Sequence, residues 1–265
     1  MLETTSDMDV NAISMILTPS TIIFIAEKSI SDHRAAKVKN KIIDIAADFK
    51  PIGKAGTVAA VNNNGKGVSS IAGGSGNKDG VKILSAQIFS GADGTTTSNT
   101  ARAIIYAADN GAHILQCSWG YNSALANMME GYTPGPASEE EWSTLYPLEK
   151  EAIDYFINYA GSPNGVIDGG LAIFASGNEY AAQSSFPAAY SKCISVAAVA
   201  ADYTPASYSN YGSEVLLSAP GGDLEYYGTP GMQDNIYDEN GILNEQGAIF
   251  STLVIDGVAG YGYYE

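Results

Sequence analysis

Asn178 is the residue whose type and position most directly suggest chemistry. It closes the stretch LAIFASGNE, in which the apolar run Leu171 to Ala175 stops at the small-residue turn Ser176-Gly177 and delivers one amide side chain. Such a run reads as a buried strand of a parallel sheet, and ligands of these sheets sit just beyond the carboxyl ends of the strands. An amide there stands where a ligand would be met. The plainer reading is a turn residue, because Asn readily closes turns with its own backbone.

Other reactive side chains are sparse. His113 lies inside the apolar run after Gly111 and reads as a core histidine with its hydrogen bonds satisfied, while His33, in SDHRAA, reads as part of a solvated helical turn. Cys117 and Cys193 both fall in apolar runs, too far apart for a zinc pattern or a disulfide framework, and read as small buried hydrophobes. The run Gly73-Gly74-Ser75-Gly76 precedes a strand instead of following one and lacks both Gly-Lys-Ser/Thr and the GxGxxG spacing. It reads as a plain loop, not a phosphate cradle.

The elements that would position Asn178 follow from periodicity. Thr21 to Ala26 (TIIFIA) is an apolar strand, and Ser31 or Asp32 caps a helix through Arg34 to Phe49. Val81 to Phe89 is a strand. Ser98 to Asn110 is a helix with Ala101, Ile104, Ile105 and Ala108 on one face and Gly111 as its stop. HILQCSWG is a strand ending in a turn. A long polar insert, Tyr121 to Tyr146, contains the acid run Glu139-Glu140-Glu141. Pro147 then opens a helix to Ala160, with Leu148, Ala152, Tyr155, Phe156 and Tyr159 toward the core. LAIFASGNE, Cys193 to Ala200 and Val215 to Ser218 complete the strands. Helices alternating with apolar strands predict an α/β, doubly wound, mostly parallel sheet with helices on both faces.

Composition narrows the partners. The 265 residues carry 13 Lys and Arg against 29 Asp and Glu, a net charge of −16. Residues 1–54 hold seven of each sign, so the imbalance lies entirely in the rest of the chain. An acidic chain argues against nucleic acid or an anionic membrane as partner, since both require positive patches. The most apolar N-terminal stretch, Ala12 to Ala26, is broken by Thr18-Pro19-Ser20 and preceded by Glu3, Asp7 and Asp9, which is the pattern of neither a membrane span nor a signal peptide.

Six segments, in order over about residues 55–265, resemble the catalytic domain of the subtilases, the subtilisin-like serine endopeptidases, and most closely those of Bacteroides-type bacteria. They are AGTVAAVNNNGKGVSSIAGGSG, AIIYAADNGAHILQCSWG, ASGNE, FPAAY, ASYSNYG with SAPGG, and GYGYYE. The resemblance implies peptide-bond hydrolysis with an extended polypeptide substrate or inhibitor as partner. It implies a location outside the cell or in its envelope, and no cofactor beyond calcium. It makes Asn178 the oxyanion-hole donor. It makes Ser118, Trp119 and Gly120 the edge that pairs with an extended peptide, and Ala175, Ser176 and Gly177 the facing wall of the specificity pocket. For Trp119 an ordinary partly buried aromatic is the alternative. The Phe186-Pro187 bond matches a position where the family's peptide is cis. The loop VNNNGKGV resembles a calcium loop, with Val61, Asn63 and Val68 as candidate ligands; an asparagine turn held by backbone alone is the other reading.

The departures from the family concern the triad. In the register of Ala55-Gly56-Thr57 the family's histidine falls at Lys50 and the second histidine of its motif at Gly53. Glu27, after the first strand, is the nearest shape to the aspartate motif but lacks its turn glycines. GYGYYE resembles the run just before the nucleophile, so the resemblance implies Gly-Thr-Ser directly beyond Glu265. No GTS or GxSxG occurs elsewhere in the chain. The expectation is a fragment of such an endopeptidase, residues 1–54 lying outside the family pattern and 55–265 forming a partial peptidase domain, inactive as written for want of the triad. The alternative is a non-catalytic relative that binds extended peptides in the retained cleft.

Overall fold

The computed structural model describes residues 21–26, 53–77, 79–88, 96–161, 167–223, 247–255 and 258–264. The helix expected over Arg34 to Phe49, and with it Glu27, His33 and Lys50, lies outside the described residues.

Six strands form one sheet: β1 (Thr21–Ala26), β2 (Lys82–Gln87), β3 (Ala112–Cys117), β4 (Leu171–Ala175), β5 (Ile194–Val199) and β6 (Val215–Pro220), in the order β2-β1-β3-β4-β5-β6. From β3 to β6 each neighbour is parallel, with Cys117 opposite Phe174 and Ala175 opposite Val196. The doubly wound, mostly parallel α/β reading is therefore right. The exception is β1, which sits inside the sheet and runs antiparallel to both β2 and β3. An apolar run such as TIIFIA completes the hydrogen-bond ladder in either direction; its connections decide which, and these are not legible in composition. A separate antiparallel hairpin pairs β7 (Ile249–Ile255) with β8 (Val258–Tyr264), the latter containing the GYGYY segment.

Among the described residues four α-helices accompany the strands: α1 (Gly53–Ala59), α2 (Thr97–Asp109), α3 (Glu139–Leu145) and α4 (Pro147–Tyr159). The hydroxyl of Thr96 caps α2 by accepting from the Asn99 N–H at 3.2 Å, and Gly111 at φ 78° follows its end, a left-handed position suited to glycine. Ile105, expected toward the core, is half exposed, and Thr100 and Ala107 are buried instead.

Helix α4 begins at Pro147 as expected, but its buried face is Glu149, Ala152, Ile153 and Phe156. Leu148, Tyr155 and Tyr159 face outward. The apolar stripe assigned from sequence is thus rotated by one position, because Glu149 lies at helical spacing from Ala152, Ile153 and Phe156 and is buried with them.

The acid run in the insert is also structured. Ser138 caps α3 by accepting from the Glu141 N–H at 3.1 Å, and the Glu141 carboxylate reaches back to the Ala137 N–H at 2.8 Å. The three glutamates occupy the first turn, where the helix dipole favours negative charge. This places Trp142, fully buried, against Phe186 and Tyr190, with ring centroids 5.5 and 5.3 Å away. One core joins these rings to Ile104, Leu115, Cys117, Trp119, Ile153, Phe156 and Phe174.

Candidate functional site

Because β3 and β4 are parallel and in register, the segments that leave their carboxyl ends emerge side by side. Ser118, Trp119, Gly120 and Tyr121 from the first and Ala175, Gly177, Asn178 and Glu179 from the second line one open cleft of about 280 Å³, with Ser185 completing it. Of the residues singled out from sequence, Ser118, Trp119, Gly120, Ala175, Gly177 and Asn178 thus meet. Ser176 lies just beneath, only 2% exposed. Trp119 is buried and meets Phe174 edge to face at 5.4 Å, so most of its ring belongs to the core.

The loop that carries Asn178 is held by a residue to which sequence reasoning gave no role. The fully buried Asn210 side chain accepts through Oδ1 from the Glu179 N–H at 3.0 Å and the Ala181 N–H at 2.9 Å, and donates through Nδ2 to the Ser176 carbonyl at 3.0 Å and to the Glu179 carboxylate. Its backbone N–H donates to the Gly177 carbonyl at 3.0 Å, and its carbonyl accepts from the Ser176 hydroxyl at 3.1 Å. One amide therefore satisfies the Glu179 and Ala181 N–H groups together and ties them to the Ser176 carbonyl. Gly177 is required here: its φ is 114°, and an added Cβ would fall 2.2 Å from Asn210 Nδ2. Tyr132, from the insert, donates to the Asn178 carbonyl at 3.4 Å.

A second unforeseen group lies behind the cleft. The Glu149 carboxylate, 1% exposed, accepts from Trp142 Nε1 at 3.0 Å through one oxygen and from the Tyr121 hydroxyl at 3.2 Å through the other. Burial pushes its carboxyl up to about 7, against the two hydrogen bonds, which pull it down. The Tyr121 hydroxyl is pushed up, chiefly by burial and then by the neighbouring Glu149 charge. The available signal was the 3-4-7 spacing of Glu149 with Ala152, Ile153 and Phe156.

Two segments far apart in the chain also approach each other. The Thr57 hydroxyl, in α1, donates to the Ser251 hydroxyl, in β7, at 3.1 Å, and an added Cβ on Gly56 would meet Thr252 and Ser251. β1 runs so that Ala26 lies opposite Ala112 and Lys82, at the amino ends of β3 and β2. The Ala26 end of β1 is thus at the opposite edge of the sheet from the cleft. His113 is buried as expected, but neither ring nitrogen has a partner among the described residues, so the satisfied-histidine reading is corrected. The Phe186-Pro187 bond is cis.

The loop carrying Val61, Asn63 and Val68 does not by itself make a calcium shell. Asn62 Oδ1 accepts from the Ser70 N–H at 2.7 Å and Asn64 Oδ1 from the Lys66 N–H at 2.9 Å, and the loop contains no carboxylate. Calcium takes six to eight oxygens, commonly including carboxylates, and no cluster of three metal-binding side chains occurs among the described residues. Ser75 is likewise tied to Asp79, through its N–H at 2.8 Å and its hydroxyl at 2.9 Å, which closes the Gly-rich loop.

Fold and cleft together define an α/β protein with a groove at the carboxyl edge of its parallel strands. The profile of the subtilase family matches residues 52–255, and the chain belongs to that family. It is 32% identical over 206 residues to halolysin of Haloferax mediterranei, covering 78% of this chain and 31% of that protein. It is 28% identical to the halolysin-like extracellular serine protease Nep of Natrialba magadii, covering 77% and 34% respectively. The chain thus spans about a third of the length of these curated relatives. Among solved structures, a protease from Pseudoalteromonas arctica shares the fold at a TM-score of 0.52 and 23% identity, covering 80% of this chain and 52% of that one. No helix among the described residues is long and apolar enough to cross a membrane.

Proposed function

We propose that this chain carries the peptide-binding cleft of a subtilisin-like serine endopeptidase, whose complete form hydrolyses peptide bonds by acyl transfer through a Ser-His-Asp triad. In this reading Ser118 to Gly120 pair with an extended polypeptide by strand addition, Ala175 to Gly177 form the facing wall, and Asn178 donates its side-chain amide to the developing oxyanion. Loss of such a donor in a subtilisin costs about 3 to 4 kcal/mol of transition-state stabilisation. The observation that carries the reading is the convergence of six of these residues on one cleft at the ends of two parallel strands. Residues 55–265 are the peptidase unit and residues 1–54 a segment outside the family pattern. The whole protein acts outside the cell, a reading supported by the extracellular relative.

The chain as given does not hydrolyse peptides. Lys50 stands where the family pattern has histidine, and no Gly-Thr-Ser or GxSxG is present. The test is a serine-directed fluorophosphonate together with a casein assay: no labelling and no hydrolysis above background are expected. Labelling of any residue would overturn this reading. A second reading, a non-catalytic relative that binds extended peptides, is favoured by the cleft being whole while the triad is not. The protein encoded by the complete locus separates the two, since the endopeptidase labels on a serine within Gly-Thr-Ser, whereas the binding protein takes peptides and never labels.

A further inference from the structure

The cleft lining includes one tyrosine, from the segment that leaves β3. Tyr121 lines it directly after Gly120, and its position is restrained from three sides. Its N–H donates to the Phe186 carbonyl at 2.8 Å, its ring stacks on Tyr146 with centroids 4.0 Å apart, and its hydroxyl is held by Glu149 at 3.2 Å. Glu149 is itself fixed by Trp142 at 3.0 Å. Moving the Tyr121 ring aside would break the stack and leave a buried carboxylate oxygen without its donor. The space in front of it, about 280 Å³, includes the open mouth, so the enclosed part that a side chain could fill is smaller. The lining around it includes the small residues Gly120, Ala175 and Gly177.

We propose that Tyr121 is the specificity-determining residue of the cleft, restricting it to a short aliphatic side chain of an extended peptide, and that Glu149 is the positioning residue that holds it there. The inference rests on the peptide-cleft reading above. A ring-bearing side chain would need Tyr121 to move, which its tethers oppose. The groups facing Glu149 are Tyr121 from the cleft, Trp142 and Tyr146 from α3 and its end, and Cys193 ahead of β5; Lys150 and Asp154 lie on its own helix. None of the facing groups is a cation. Ionised Glu149 is the stronger acceptor for the Tyr121 hydroxyl, so the wall is firmest above neutrality and loosens as Glu149 takes up a proton.

The test is calorimetric binding of acetylated tetrapeptide amides in which each position in turn is Ala, Leu or Phe. At one position Phe is expected to bind at least tenfold more weakly than Leu at pH 8, with the gap narrowing at pH 5.5. Tyr121→Ala should abolish the gap. Tyr121→Phe and Glu149→Gln should hold the gap at its narrowed pH 5.5 size at both pH values, which a merely structural role for Glu149 would not do. If Tyr121→Ala fails to give a native near-ultraviolet dichroism spectrum, Tyr121→Leu carries the same comparison. Peptides that bind, and lose binding in Gly120→Pro, while the gap ignores Tyr121 would overturn this inference alone. Failure of every peptide to bind would overturn the cleft reading and this inference with it.

Discussion

Replacing Glu149 with glutamine should make the protein more stable at pH 8 than the parent. The carboxyl is wholly buried and its pKa is raised from an ordinary 4.5 to about 7, with desolvation outweighing the hydrogen bonds from Trp142 and Tyr121. A raised acid binds its proton more tightly in the folded state. Between pH 4.5 and 7 the unfolded chain has released the proton while the folded chain still holds it, so stability falls as pH rises across that window. Above about 7 the loss is complete. A difference of roughly 2.5 in pKa, at about 1.4 kcal/mol for each, is about 3 kcal/mol. Glutamine keeps the shape, can accept from Trp142 and donate to the Tyr121 oxygen, and carries no charge to desolvate. Melting followed by circular dichroism from pH 4.5 to 8 should show the parent losing stability toward high pH relative to the variant. For a chain of this size about 3 kcal/mol corresponds to roughly 6 to 12 °C in Tm. Parallel curves for the two proteins across the range would refute the buried-charge argument.

Asp154 predicts the opposite behaviour at acid pH. Its partial burial would raise the pKa, but hydrogen bonds from Lys150, Lys192 and Tyr190 prevail and hold it near 2. That contribution is present above about pH 4 and lost as pH falls toward 2, so Asp154→Asn should flatten the acid limb of the stability curve; an unchanged limb would remove the network from the account. Trp142→Ala deletes a fully buried ring stacked between Phe186 and Tyr190 and should cost about 3 to 5 kcal/mol in denaturant unfolding, a loss under 1 kcal/mol contradicting the packing. Asn210→Ala strands the Glu179 and Ala181 N–H groups, and should lower stability by more than about 2 kcal/mol and loosen the Asn178 loop, as read by hydrogen exchange at residues 176–181.

What the sequence determined by itself is what short-range periodicity and turn chemistry control. The run Leu171 to Ala175, the stop of α2 at Gly111, Pro147 at the start of α4, and the delivery of Asn178 beyond a strand all depend on neighbours within a turn or two. That Ser118 to Gly120 stand beside Ala175 to Gly177 was implied by the resemblance to the subtilases, not by the apolar runs themselves, and the parallel pairing of β3 with β4 is what places them so. Tertiary structure decided the rest, because the deciding partners are distant in the chain. The direction of β1 depends on how its ends connect, not on the apolarity of TIIFIA. The face that α4 buries was settled by Trp142 and Tyr121, seven and 28 residues away from Glu149, which make a carboxylate tolerable where an apolar residue was expected. Asn210 reaches its loop across 31 residues from Glu179. A side chain whose value lies in satisfying buried groups elsewhere leaves no periodic trace in its own surroundings; only the fold reveals it.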